Sequence, residues 1–97
     1  MRKRNTENIG EILQEFLNKN GVLKQKIAEH RVISGWDALL GKAISSYTNN
    51  IYFRNGTLYV QLNSSILRAE LALAKDRLIK SLNDYAGMHI VEEIIFR

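Results

Sequence analysis

The chain of 97 residues contains no cysteine and no proline. Without cysteine there is no disulfide, no thiolate nucleophile and no cysteine-ligated zinc, a composition that suits a reducing compartment. Long apolar runs are missing too. No stretch approaches the 18 residues that a membrane span needs, so no membrane partner is expected. The opening Met1-Arg2-Lys3-Arg4 has the charge of a signal peptide, but Asn5-Thr6-Glu7-Asn8 stands where the apolar segment would follow. The expected location is the cytoplasm.

Catalytic groupings are equally scarce. The two histidines, His30 and His89, fall on different elements with no ligand spacing around them, so no metal is expected. Glu92 and Glu93 are neighbours on an expected strand, which points their carboxylates to opposite faces. The glycines never form a phosphate-cradling run, and the serines lack a nucleophile-elbow setting and read as caps and turns. These absences argue for a protein that is not an enzyme and needs no cofactor.

What is present reads as one small folded unit. Apolar residues make up 45% and charged residues 25%, too hydrophobic for a disordered chain. At this length a single continuous core must recruit most apolar positions. The net charge of +4 is concentrated: Arg2, Lys3 and Arg4 supply three of the fourteen positive charges, leaving eleven against ten acids. We therefore expect a basic tip over residues 1–5 and a single domain over 6–97, with attraction to nucleic acid confined to the tip and local clusters.

Along the chain, Ile9, Ile12, Leu13, Phe16 and Leu17 recur at helical spacing between Thr6 and Asn18, and Gly21 ends this first helix. A second helical pattern runs from Val22 to Leu40. Its apolar stripe moves round by about 100° between Leu23-Ile27 and Ile33-Trp36-Leu40. Ser34-Gly35-Trp36-Asp37 fits a capping box, so the pattern suits either one continuous helix or a break near Ser34. Trp36 is expected in the core, wedged between helix and sheet.

The sharpest local signal is Ile51 to Leu62. Asn55-Gly56 supplies the two positive φ angles of a type I′ turn and predicts a hairpin pairing Arg54 with Thr57, Phe53 with Leu58, Tyr52 with Tyr59 and Ile51 with Val60. Ile51, Phe53, Leu58, Val60 and Leu62 then share the core face. Tyr52, Arg54, Thr57, Tyr59 and Gln61 share the other. Asn63-Ser64-Ser65 offers caps for one long helix to Ala86, with Gly87 placed for a left-handed C-terminal cap. Leu67, Leu71, Ala74, Leu78, Leu82 and Tyr85 form its buried stripe, and Asp76 with Lys80 an i,i+4 pair. His89 to Phe96 reads as a third strand, with Ile90, Ile94 and Phe96 on one face and Val91 and Ile95 on the other. The fold class is α+β, in the order α-α-β-β-α-β. A small mixed three-stranded sheet is expected, with helices on one face and the third strand parallel to one hairpin strand.

Candidate nucleic-acid contacts follow from surface chemistry. Tyr52, Arg54 and Tyr59 interleave rings and a cation on one sheet face, although a tyrosine pair is also a good cross-strand pair in its own right. Arg68 and Lys75 flank the long helix, and Lys42 and the tip of Arg2, Lys3 and Arg4 complete the set. Leu73 and Ile79 lie off the buried stripe. Together with the doubly apolar third strand they suggest a protein partner or a homodimer.

Four segments carry a family resemblance: Trp36-Asp37-Ala38-Leu39-Leu40-Gly41, Asn55-Gly56-Thr57-Leu58-Tyr59-Val60, Ser64-Ser65-Ile66-Leu67-Arg68-Ala69-Glu70-Leu71, and Ile94-Ile95-Phe96-Arg97. In W-x-x-x-x-G, G-x-L-x-V and S-S-x-x-x-x-E-L at these spacings, the chain from about residue 23 to 97 resembles the DciA family. That resemblance implies a KH-like fold and a loader or operator of the bacterial replicative helicase. The expected function is a non-enzymatic adaptor that binds the helicase and assists its loading, with weak, salt-dependent binding of single-stranded or forked DNA. The G-x-x-G loop with which KH domains grip single strands is absent here, so that mode of RNA binding is not carried over. The alternative expectation is an RNA-binding or ribosome-associated KH-like module.

Overall fold

The computed structural model describes residues 10–15 and 21–97. Residues 10–15 are helical, and the body then runs α1 (Gly21–Ser45), β1 (Thr48–Arg54), β2 (Thr57–Leu62), α2 (Ser65–Leu73), α3 (Lys75–Ala86) and β3 (Glu93–Phe96). The sheet order is β1-β2-β3, with β1 antiparallel and β3 parallel to β2. This is the mixed sheet expected from the order of elements.

The hairpin forms in the expected register. Asn55 and Gly56 take φ of 49° and 80°, and all four anticipated pairs are present. Its aliphatic side is the floor of the core. Leu58, Val60 and Leu62 of β2 are buried with Ala28, Val32 and Trp36 of α1, Leu71 of α2, Leu78, Leu82 and Ala86 of α3, and Val91 and Ile94. Trp36 is at the centre as anticipated: its indole donates to Thr48 Oγ1 at 3.0 Å, and its ring lies 6.2 Å from that of Phe96. On the opposite side of the sheet Tyr52, Arg54 and Ile95 are exposed among the described residues.

Three helical details depart from the sequence pattern. First, α1 passes through Ser34 and Gly35 without interruption and bends instead at Gly41, whose φ of 85° and ψ of 170° are not helical. Gly35 is a packing glycine: a Cβ there would lie 2.8 Å from Cδ2 of Tyr85. Tyr85 itself is half exposed, not a full member of the buried stripe. Second, the long helix is broken at Ala74, where φ of −102° and ψ of 13° separate α2 from α3. No breaker residue stands there. The Ala74 N–H closes a tight turn onto the Leu71 carbonyl at 3.0 Å, and α3 restarts with Leu78 N–H on the Ala74 carbonyl. The break lets α2 lie on β2 while α3 packs on α1 and β3, contacts that a straight rod would not satisfy together. Third, the break puts Asp76 in the first turn of α3, where the helix dipole favours a carboxylate, and Lys80 pairs with Asp84 at 3.3 Å instead. The flanking caps are as read: Ser64 Oγ accepts from Leu67 N–H, and Gly87 is left-handed.

The third strand is shorter than its composition suggests. Only Glu93–Phe96 pairs with β2, and residues 89–92 lead into it outside the ladder, with Glu92 N–H donating to the Gly56 carbonyl at 2.8 Å. Asn83, one of the buried residues of α3, holds that approach. Its Oδ1 accepts from Ile90 N–H (3.0 Å) and Val91 N–H (2.8 Å), and its Nδ2 donates to the Val91 carbonyl at 3.0 Å. This explains the apolar residues on both sides of the segment. Val91 precedes the ladder and turns into the core at 0% exposure, so Ile95 alone carries apolar character onto the open face.

Candidate nucleic-acid interface

Period-two alternation decides what the open face carries. Tyr52 and Tyr59 are register partners on adjacent strands, and their rings stack with centroids 4.7 Å apart and planes 13° from parallel. Ile95 is the register partner of Tyr59 on β3, so one row across the sheet reads Tyr52, Tyr59, Ile95. Arg97 follows two residues later on the same side. Its guanidinium carbon lies 4.9 Å from the Tyr59 ring centroid, a cation–π arrangement. Asn50, Tyr52, Tyr59, Gln61 and Arg97 line a small cleft of about 100 Å³. Arg54 is exposed at the hairpin end of this face.

The helix-flank cations are engaged within the chain. Arg68 Nη1 donates to the Leu62 carbonyl at 2.9 Å and to the Arg97 carbonyl at 3.4 Å, clamping the ends of β2 and β3. Lys75 sits 3.1 Å from Glu93 Oε1. The Glu93 carboxyl is held below its ordinary value first by the Ile94 N–H and then by Lys75. Neither cation lies in the cleft. Lys42 is exposed beyond the Gly41 bend, and Arg2, Lys3 and Arg4 lie outside the described residues. Leu73 projects from α2 at 85% exposure, whereas Ile79 is half buried against the core.

The structure thus brings together Tyr52 and Tyr59, with Arg54 on the same face, and leaves the helix-flank cations apart. It adds Asn50, Gln61 and Arg97, which no cluster of charge along the chain marks out. Gln61 was legible as a member of the polar hairpin face. Arg97 shares the parity of Ile95, and strand alternation alone would have placed it there. Among the described residues no group of three histidine, cysteine, aspartate or glutamate side chains is arranged to hold a metal ion. None of their helices is long and apolar enough to cross a membrane.

Comparison with known proteins adds two findings. The family model described as "Dna[CI] antecedent, DciA" matches residues 8–96. An uncharacterized protein of Borreliella burgdorferi is 24% identical over 86 residues, covering 87% of this chain and 86% of the relative. No solved structure matches the chain.

Proposed function

We propose that this chain, which belongs to the DciA family and so has a role in helicase loading, acts as a non-enzymatic adaptor in the cytoplasm: it binds the replicative helicase directly and touches DNA weakly. The observation that carries this reading is the family match, which spans nearly the whole chain rather than one motif. Two separate surfaces support it. On α2, Ile66 and Leu73 are seven residues apart, which is two helical turns, and are 76% and 85% exposed. Large aliphatic side chains aligned on one helix face lose unfavourable exposure to water when a partner covers them. On the far side of the sheet, the tyrosine and arginine face supplies aromatic and cationic groups. An adaptor needs two such faces pointing to different partners.

Mixing the purified chain with its cognate replicative helicase at micromolar concentration and following co-elution tests this reading. A complex is expected, and Leu73→Glu should weaken it by placing a charge in the apolar interface. Absence of any complex at those concentrations refutes the adaptor role. Structured RNA bound far more tightly than single-stranded DNA at equal salt favours the RNA-binding module instead, because the 2′-hydroxyl is the group that separates the two. Neutralising Arg2, Lys3 and Arg4 tests the tip: for each of them that neutralises a phosphate, the dependence of log affinity on log salt flattens by about 0.7 for a single strand. Sedimentation of the chain alone distinguishes a monomer from a dimer.

A further inference from the structure

We infer that the cleft between Asn50, Tyr52, Tyr59, Gln61 and Arg97 is a subsite for one unpaired base of single-stranded DNA and its flanking phosphate. The inference rests on the DNA contact proposed above and assigns that contact to the open sheet face rather than to the tip or the helix flank.

Three features of the cleft select this ligand. The first is an aromatic surface with an accessible side. Tyr59, on the central strand, has Tyr52 on one side and the Arg97 guanidinium on the other. Tyr52 is on the edge strand, its one ring neighbour among the described residues is Tyr59 on the β2 side, and it keeps 36% exposure. The exposed part of that ring gives a base entering the cleft an aromatic surface to pack on, since every base presents a π face.

The second feature is unused hydrogen-bonding capacity. The side-chain amides of Asn50 and Gln61 flank the rings, and neither makes a hydrogen bond within the described residues. Each offers two donors and an acceptor, the pattern that reads a base edge. Asn50 and Gln61 are themselves register partners, so the amides stand side by side across the hairpin.

The third feature is charge. Arg97 lines the cleft and Arg54 stands on the same face, and neither has a carboxylate partner among the described residues. No acid among the described residues lines the cleft. The nearby cations Arg68 and Lys75 are satisfied internally, which leaves these two arginines as the anion-seeking groups of the sheet. A cleft of about 100 Å³ is on the scale of a single pyrimidine ring and far too small for a base pair, so the ligand must be a strand whose bases are already unpaired.

Anisotropy of a fluorescein-labelled oligothymidylate titrated with the full chain tests the assignment. Tyr52→Leu, a residue compatible with a strand, should weaken binding by about 5- to 150-fold, the range for loss of one stacked base. Tyr52→Phe should bind within about twofold of the parent, because the ring face is kept. Arg97→Gln should lower the salt slope by about 0.7, the value for one phosphate on a single strand. Thermal melting by circular dichroism confirms that each variant is folded. If Tyr52→Leu does not fold, cross-linking of the parent chain to a 5-bromouracil oligonucleotide replaces it, and the adduct should map to Tyr52 or Tyr59.

Parent-level affinity and slope in both Tyr52→Leu and Arg97→Gln, or an adduct confined to other residues, overturns the subsite while the DNA contact stands. No oligothymidylate binding by the parent chain even at low salt overturns both. Displacement of the oligonucleotide by polyglutamate as readily as by unlabelled oligothymidylate also overturns it, because the face would then be an acidic-peptide surface.

Discussion

Replacing Asn83 with alanine removes one side chain of α3 and with it three hydrogen bonds to the backbone of residues 90 and 91. Two of the orphaned groups, the N–H and carbonyl of Val91, belong to a residue with 0% exposure and have no water to turn to. A hydrogen bond contributes about 0.5 to 1.5 kcal/mol net, and leaving a buried partner unsatisfied lies at the upper end, so Asn83→Ala should cost about 3 kcal/mol. For a domain of this size that corresponds to a fall in Tm of about 12 to 24 °C. The assay is urea unfolding followed by Trp36 fluorescence, with the midpoint shifting and the slope unchanged. Amide exchange supplies the local readout: the Val91 N–H should lose protection before the β1–β2 ladder does. The consequence extends to the binding face, since Asn83 positions the chain that becomes β3 and carries Arg97 to the Tyr59 ring. A loss below about 1 kcal/mol, with Val91 still protected, would refute the view that this amide docks the third strand.

Other outcomes follow from the same contacts. Trp36→Ala should cost about 3 to 5 kcal/mol in chemical unfolding, whereas Trp36→Phe should lose about 1 kcal/mol, chiefly the bond to Thr48. Gly35→Ala should destabilise although alanine is the better helix former by about 1 kcal/mol, because its Cβ would meet the Tyr85 ring at 2.8 Å. Thermal melting of Gly35→Ala with Tyr85→Leu should recover much of that loss. The depressed Glu93 carboxyl makes stability present above its ordinary value of 4.5 and lost as pH falls below that value and through the folded one. Acid titration of Glu93→Gln should therefore show a shallower loss of stability in that window, and an unchanged profile would mean that the Ile94 and Lys75 contacts do not persist in solution.

Several departures of structure from pattern share one cause. Helix periodicity continues unbroken through Leu73-Ala74-Lys75, and nothing local marks a stop. The turn at Ala74 exists because α2 and α3 must each bury a different stretch of stripe, one on β2 and one on α1. The cation pair Arg68 and Lys75 illustrates the same limit. Both read as candidate nucleic-acid contacts flanking the helix, yet one caps strand carbonyls and the other meets Glu93, partners 29 and 18 positions away that periodicity does not reveal. Leu73, by contrast, was legible as an outlier to the stripe and is exposed.

Local chemistry by itself determined the hairpin, its register, the Ser64 and Gly87 caps, the burial of Trp36 and the membership of the tyrosine face. Each depends on a φ preference, a cap or a period that acts within a few residues. Tertiary structure decided where the helices break, how Asn83 docks the final strand, which arginines remain unpaired, and that Arg97 closes over Tyr59 to make a cleft. Those features arise from backbone groups and side chains that meet only when distant segments compete for one small core. The energy of such meetings depends on distance in space, which no window of sequence contains.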